Sequence, residues 1–96
     1  MKEKLLRIIR HYGLKNQLRK LNEEVFELIE AIRDTRFYLS KNHIEEEFAD
    51  VMVLLSQIKH FYNLDSEKIK KIMDYKINRQ LERMERGEWF NDKKYR

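Results

Sequence analysis

The feature that most constrains this chain is a short pattern of carboxylates and apolar residues that occurs twice, 23 positions apart. The first copy contains Glu24 and Glu27, and the second contains Glu47 and Asp50 at the same offset. Apolar residues repeat with the carboxylates, in the pairs Leu21 and Ile44, Val25 and Phe48, Leu28 and Val51, and Ile32 and Leu55. The repeat predicts two equivalent structural elements.

Helical spacing accounts for both parts of this repeat. Residues three apart lie on neighbouring points of one helix face, so each copy presents two carboxylates side by side. At about 100° per residue, the apolar residues form one stripe on each helix, and the carboxylates lie on the same flank of both stripes. The stripes are Leu14, Leu18, Leu21, Val25, Leu28 and Ile32, then Ile44, Phe48, Val51, Leu55, Ile58 and Tyr62. If the two stripes pack as an antiparallel hairpin, the four carboxylates converge at its edge.

Four converging carboxylates would repel one another and bind protons more readily unless a cation lay between them. Mg²⁺ prefers oxygen ligands and retains some water, which leaves room for substrate phosphates, and Mn²⁺ accepts the same oxygens. Solvated helix faces are the alternative, but solvation does not require a repeated position relative to the apolar stripe. The pattern therefore favours a site for a divalent cation.

The paired motifs also resemble a known signature. Glu23-Glu24-Val25-Phe26-Glu27, nineteen residues, and then Glu47-Phe48-Ala49-Asp50 are similar to the motifs of the MazG-like all-α nucleoside triphosphate pyrophosphohydrolases. The resemblance runs from about Gln17 to about Arg83.

This resemblance implies a site and a reaction. Its metal ligands and catalytic residues would be Glu24, Glu27, Glu47 and Asp50. Water would attack the α-phosphorus of a nucleoside triphosphate, releasing a monophosphate and pyrophosphate, in nucleotide-pool cleansing or control of a nucleotide signal. The carboxylate that orients the water stays open, because Glu23, Glu30 and Glu46 are neighbours of the four.

Basic residues near the end of the chain are candidates for contacts with substrate phosphates. Lys76, Arg79 and Arg83 are three or four residues apart on a predicted helix, and the planar guanidinium of arginine suits phosphate. Ordinary surface charge is the alternative for each. Gln17 and Lys20 precede the first motif as in the family, and the resemblance implies that they also contact substrate, with plain surface placement as the alternative.

Composition predicts a single all-α domain over residues 1–96, with residues 86–96 as a short tail. The chain has no proline, two glycines and 40% charged residues, which favours long helices joined by few turns. Gly13 is expected to end the first helix, a cap at Asn42 or His43 to begin the third, and Asp65 to cap the fourth. The four predicted helices cover residues 2–12, 14 or 15 to 33, 42 or 43 to 62, and 66–85, with 34–42 as a connection.

A chain of 96 residues buries a limited fraction of its surface, so we expect the four-helix protomers to form oligomers. The family resemblance implies a helical-bundle dimer or higher oligomer, a homodimer or a homotetramer. The longest apolar run, Val51–Leu55, is too short to span a bilayer. The N-terminal segment has no signal-peptide core, and the chain has no cysteine. We therefore expect a cytoplasmic protein without a membrane partner.

The net charge of +4 conceals three blocks: +6 over residues 1–20, −6 over 21–50 and +4 over 51–96. Basic flanks around an acidic centre suit a polyphosphate with a divalent cation better than a duplex, which requires one continuous basic face.

Two other classes of function stay open. One is a non-catalytic interaction protein whose acidic rows dock a basic partner, and the other is a nucleic-acid-binding protein that uses the first and fourth helices.

The remaining residues mainly exclude other chemistries. No histidine lies three residues after a glutamate, so the ligand pairs of ferritin-like di-iron bundles are absent, as are a serine triad and a glycine-rich phosphate loop. The apolar residues 37–39 either pack on the bundle or a second subunit, or line a base pocket. Phe61, Tyr62 and Trp89 belong either to a core or interface, or to a surface that stacks on a nucleobase.

Overall fold

The computed structural model of the protein describes residues 1–34 and 40–87, which form four α-helices without a strand among them. This architecture confirms the predicted all-α fold class. The first, second and fourth helices have the predicted bounds. The helices are α1 Lys2–Tyr12, α2 Leu14–Arg33, α3 Ser40–Phe61 and α4 Ser66–Glu85.

The predicted start of α3 was wrong. The helix begins at Ser40, two or three residues before the expected cap at Asn42 or His43, and it ends at Phe61. Neither proline nor glycine occurs between Ser40 and His43, so nothing in the backbone interrupts an earlier first turn. The connection between α2 and α3 is therefore shorter than predicted. Residues 37–39 and Trp89, for which packing or substrate contact was predicted, lie outside the described residues.

Gly13 joins α1 to α2 within a single residue. Its amide donates a hydrogen bond to the carbonyl of Ile9 (2.8 Å), and its carbonyl accepts one from the amide of Gln17 (3.1 Å). The backbone has φ 88° and ψ 148° at this position, a conformation that residues with a Cβ atom rarely adopt. Gly13 therefore sets the angle at which α2 begins.

The carboxyl end of α3 is closed by Asn63, which has a φ of 51°. The amide of Leu64 donates to the carbonyl of Lys59 (2.9 Å), and the amide of Asn63 donates to the carbonyl of His60 (3.2 Å). This pair of bonds is the Schellman pattern, which satisfies carbonyls that the helix itself leaves free.

The first turn of α4 is capped as predicted. The Asp65 carboxylate accepts hydrogen bonds from the backbone amides of Glu67 (2.9 Å) and Lys68 (3.2 Å). Two amides that lack a partner within the helix are thereby satisfied.

The contacts within the chain divide it into two compact units, residues 1–64 and the part that begins at Asp65. In the first unit α2 packs along α3, and α1 packs on both. Its buried apolar residues are few, namely Leu5, Ile9, Ala31 and Leu54. Polar and half-buried residues must therefore complete the interior.

The buried face of α2 differs from the apolar stripe that the sequence predicted. Leu18, Val25 and Ile32 of that stripe are exposed, at 44%, 38% and 59% of their surface. The residues that face the interior are the buried Gln17, Glu24 and Ala31 and the half-buried Leu21 and Leu28. Their spacing alternates between three and four residues, as in the contact line of a coiled coil. The prediction was wrong for Leu18, Val25 and Ile32 because it followed hydrophobicity alone, whereas α2 has exposed apolar residues on a second face.

The same correction applies to α3. Phe48, Leu55 and Tyr62 of the predicted stripe are exposed. The interior face consists of the buried Leu54 and Gln57 and the half-buried Ile44, Glu47, Val51 and Ile58. Glu24 and Glu47 therefore lie within the line of contact between the two helices, and not beside it.

In the second unit α4 has no buried residue. Met73, Ile77 and Met84 are 55%, 52% and 61% exposed. One amphipathic helix cannot bury its own apolar side, so this surface remains available for a further contact. Among the described residues, no helix combines the length and the hydropathy that crossing a membrane requires.

Candidate metal centre

Three of the predicted ligands converge where α2 meets α3. Glu24 and Glu27 project from successive turns of α2, and Glu47 projects from α3. One carboxylate oxygen from each lies within 4.8 Å of the other two. The pairing is antiparallel, since Glu24 near the middle of α2 meets Glu47, whereas Gln17 near its start meets Gln57. We call Glu24, Glu27 and Glu47 the acidic cluster.

Two oxygen atoms of the acidic cluster are buried without a donor. Oε2 of Glu24 and Oε2 of Glu47 have no hydrogen-bond partner among the described residues. Glu24 as a whole is only 8% exposed. A buried acceptor without a partner is costly, and the cost is greater when the group is charged. The arrangement therefore favours a nearby counter-charge.

The pKa of Glu47 also indicates that a counter-charge is favoured at this site. Burial of the carboxylate raises this pKa above its usual value, and the negative charges of Glu27, Glu24 and Asp50 raise it further. A hydrogen bond with Glu27 acts in the same direction. Burial and neighbouring negative charge both favour the protonated form of this carboxyl group.

Lys20 forms an ion pair with Glu24 of the acidic cluster. Its Nζ atom lies 3.3 Å from Oε1 of Glu24, one helical turn away. The pKa of Lys20 is raised, first by its hydrogen bond to Glu24 and by the attraction of that carboxylate, and then by Glu23 and Glu27. One ammonium, half exposed to solvent, does not balance three carboxylates.

Asp50, the fourth predicted ligand, is not part of the acidic cluster. It is exposed on α3, and with Glu24 it lines a neighbouring cavity. Its charge nevertheless acts on Glu47. The structure thus brings three of the four predicted ligands together and leaves Asp50 beside them.

The cavity next to the acidic cluster has a volume of about 440 Å³. Within its lining, Nε2 of Gln17 donates a hydrogen bond to Oε1 of Gln57 at 2.9 Å. Both side chains are buried, at 5% and 2% exposure. Sequence reasoning selected Gln17 but missed Gln57. Its position seven residues after Asp50, two helical turns along the same face, was the signal that could have identified it.

The predicted phosphate contacts Lys76, Arg79 and Arg83 lie on α4. The guanidinium of Arg79 lies over the ring of Tyr75, with its central carbon 5.6 Å from the ring centroid, a favourable cation–π distance. Its Nε atom has no hydrogen-bond partner among the described residues. Contact between these residues and substrate stays a prediction.

The donor set of the acidic cluster fits a hard divalent cation. All its ligand atoms are carboxylate oxygens, the type that Mg²⁺ and Mn²⁺ prefer. Neither histidine nor cysteine belongs to the cluster, so it lacks the ligands typical of a zinc site. The unpaired oxygens of Glu24 and Glu47 are the atoms that a cation would satisfy.

Comparison with known proteins gives the family. Residues 13–84 match the MazG nucleotide pyrophosphohydrolase domain, and because this segment is most of the chain, the protein belongs to that family. The match confirms the resemblance predicted from the paired acidic motifs, which it includes in full. A search of curated proteins and a search of solved structures each found no match.

Proposed function

We propose that the protein is a Mg²⁺-dependent nucleoside triphosphate pyrophosphohydrolase, in which Mn²⁺ can replace Mg²⁺. The observation that carries the proposal is the convergence of Glu24, Glu27 and Glu47 in a member of the MazG family. Two of their oxygens are buried without partners, so the protein retains a costly arrangement that a divalent cation would relieve.

In this proposal the acidic cluster holds the cation, with Asp50 as a fourth ligand. A divalent cation bound there would neutralise phosphate oxygens and make the phosphorus more electrophilic. Lys20, Gln17, Lys76, Arg79 and Arg83 are the proposed contacts to the substrate. The cationic groups of the lysines and arginines among them would balance the charge that develops on the leaving pyrophosphate.

The proposed reaction is hydrolysis at the α-phosphorus. A water oxygen bonds to this phosphorus, and the bond from the phosphorus to the oxygen that bridges the α- and β-phosphates breaks. The water proton passes to a carboxylate of the site, and pyrophosphate leaves with the bridging oxygen. Glu23, Glu30 and Glu46 are further candidates to orient the water, because they neighbour the four site carboxylates.

Glu47→Gln tests the proposal, because it removes a charge while it preserves the shape of the side chain. We expect Mg²⁺-dependent release of pyrophosphate to fall at least about 100-fold, as when one group that stabilises the transition state is removed. The matched control is Glu45→Gln, an exposed glutamate on the same helix. Turnover in water enriched in ¹⁸O should place the label in the monophosphate. Equal turnover in both variants would rule out the assignment.

We further propose that the protein acts as a homodimer or homotetramer in the cytoplasm, in nucleotide-pool cleansing or control of a nucleotide signal. The exposed apolar side chains of α2 and α4, such as Phe26 and Ile77, support assembly because they would be covered in it. A screen of canonical and modified nucleoside triphosphates, with pyrophosphate and phosphate measured separately, would distinguish the two roles.

A further inference from the structure

We propose that the cavity beside the acidic cluster is the nucleobase subsite, and that Gln17 and Gln57 bind the base together. We call these two side chains the amide pair. The inference rests on the proposed function for the class of substrate, and it adds Gln57 to the proposed contacts and assigns Gln17 to the base. It assigns the recognition of the base to a hydrogen-bonded pair that joins α2 to α3.

The position of the cavity is the first reason. Glu24 belongs to the acidic cluster and also lines the cavity, so the two sites share a wall. Lys20 and Asp50 line the cavity as well. A nucleotide whose phosphates lie at the acidic cluster would therefore have room for its base in the adjoining space. The volume of about 440 Å³ is within the usual range for a small-molecule site.

The amide pair gives the second reason. Each glutamine amide has one acceptor oxygen and a donor NH₂ group. The bond from Gln17 to Gln57 leaves the carbonyl oxygen of Gln17 and the amino group of Gln57 outside this bond, and both residues line the cavity. A base edge carries donors and acceptors next to each other, whereas a fully ionised phosphate carries acceptors only. The pair therefore matches a base better than it matches a phosphate.

The apolar part of the cavity gives the third reason. Ile8 and Tyr12 of α1, with Val53 and Leu54 of α3, line it together with the amide pair. These side chains suit the flat faces of a heteroaromatic ring, which lose little by leaving water. A ring that lay against them would present its polar edge to the amide pair. A free sugar or phosphate would have to give up its hydration to enter this part of the cavity.

The amide pair can serve more than one base. If both terminal amides turn by 180°, the hydrogen bond between Gln17 and Gln57 reverses its direction, and the free donor and free acceptor exchange places. Bases that present donor and acceptor in either order can then be bound. The cavity should consequently distinguish a nucleotide from a phosphate without a base more strongly than it distinguishes one base from another.

The test measures binding, so that it does not depend on catalysis. Dissociation constants are measured by titration calorimetry with Mg²⁺ for nucleoside monophosphates of the four bases and for ribose 5-phosphate, which lacks only the base. We expect at least one monophosphate to bind about tenfold more tightly than ribose 5-phosphate. Gln57→Met keeps the length of the side chain without its amide, and it should reduce this preference to within about twofold. It should leave the binding of ribose 5-phosphate unchanged.

Two further variants complete the test. Gln80→Met makes the same substitution at an exposed glutamine of α4 and should retain the preference for a base. Gln17→Met should lose the preference as Gln57→Met does, and it replaces that variant if melting shows that Gln57→Met is unfolded. In the wild type, the side-chain amide resonances of Gln57 should shift with a monophosphate and not with ribose 5-phosphate.

The outcomes separate this inference from the proposed function. If no monophosphate binds more tightly than ribose 5-phosphate, or if both Gln→Met variants keep the wild-type preference, the subsite is overturned even when pyrophosphate release is intact. If the wild type binds monophosphates through the amide pair but releases no pyrophosphate, the subsite stands and the proposed function fails.

Discussion

Glu24 occupies a position in the contact line of α2 at which an apolar residue would stabilise the protein more. Leu21 and Leu28 lie on either side of it along the same line. A carboxylate among such neighbours gives up hydration, and burial of a charge is repaid only by a good partner. Its ion pair with the exposed Lys20 is worth little. Residues that lower stability in this way are expected at functional sites.

At the residue scale, Gly13→Ala should lower the free energy of unfolding by about 1–3 kcal/mol, the usual cost of a strained backbone conformation. An added Cβ atom would have no neighbour within 4 Å, so a steric clash does not contribute. The cost comes from the φ of 88° at Gly13. Chemical denaturation measures the effect. Lys15→Ala, an exposed change two residues later, is the control and should stay within about 0.5 kcal/mol. A loss no larger than that of the control would contradict this account of the turn.

At the element scale, Asp65→Ala should destabilise α4 by about 1 kcal/mol, because two amides of its first turn lose their acceptor. Hydrogen exchange at the amides of Glu67 and Lys68 should become faster. Asp74→Ala, an exposed aspartate in the middle of α4, is the matched control and should leave exchange at these two amides unchanged. Equal exchange in both variants would show that the cap does not hold the turn.

The existence and most of the bounds of the helices could be predicted, because local signals determine them. Gly13 and Asp65 act through the backbone of their own turns, so the sequence alone reveals them. The start of α3 could not be predicted, since no residue near it forbids a helix. Boundaries of this kind depend on tertiary context.

The sequence predicted only part of the site. The repeated offset of 23 residues identified Glu24, Glu27 and Glu47, because the same helical position recurs in both copies. The pattern does not determine which of two apolar faces packs inward. The burial of Gln57 therefore went unnoticed, as did the placement of the glutamates within the contact line. Only the packing of α2 against α3 settles that choice.

At the scale of the whole molecule, the described residues bury few large side chains, and α4 buries none. We expect the apolar side of α4 to be covered by a second copy of the chain. Ile77→Glu should then shift the protein towards the monomer, because a buried charge opposes association. Light scattering after gel filtration measures the mass. Lys70→Glu, also on α4 and exposed, is the control. A wild-type protein that is monomeric at high concentration would contradict this expectation.

The central claim concerns the acidic cluster and its cation, and Mn²⁺ titration followed by electron paramagnetic resonance tests it most directly. The signal of free Mn²⁺ reports how much metal the protein has bound, without any need for substrate or turnover. We expect the wild type and Glu45→Gln to bind Mn²⁺ with the same affinity, and Glu47→Gln to bind it at least about tenfold more weakly, since it loses a charged ligand. Mg²⁺ should displace the bound Mn²⁺. Equal affinities in all three proteins would contradict the claim that these glutamates form a metal centre.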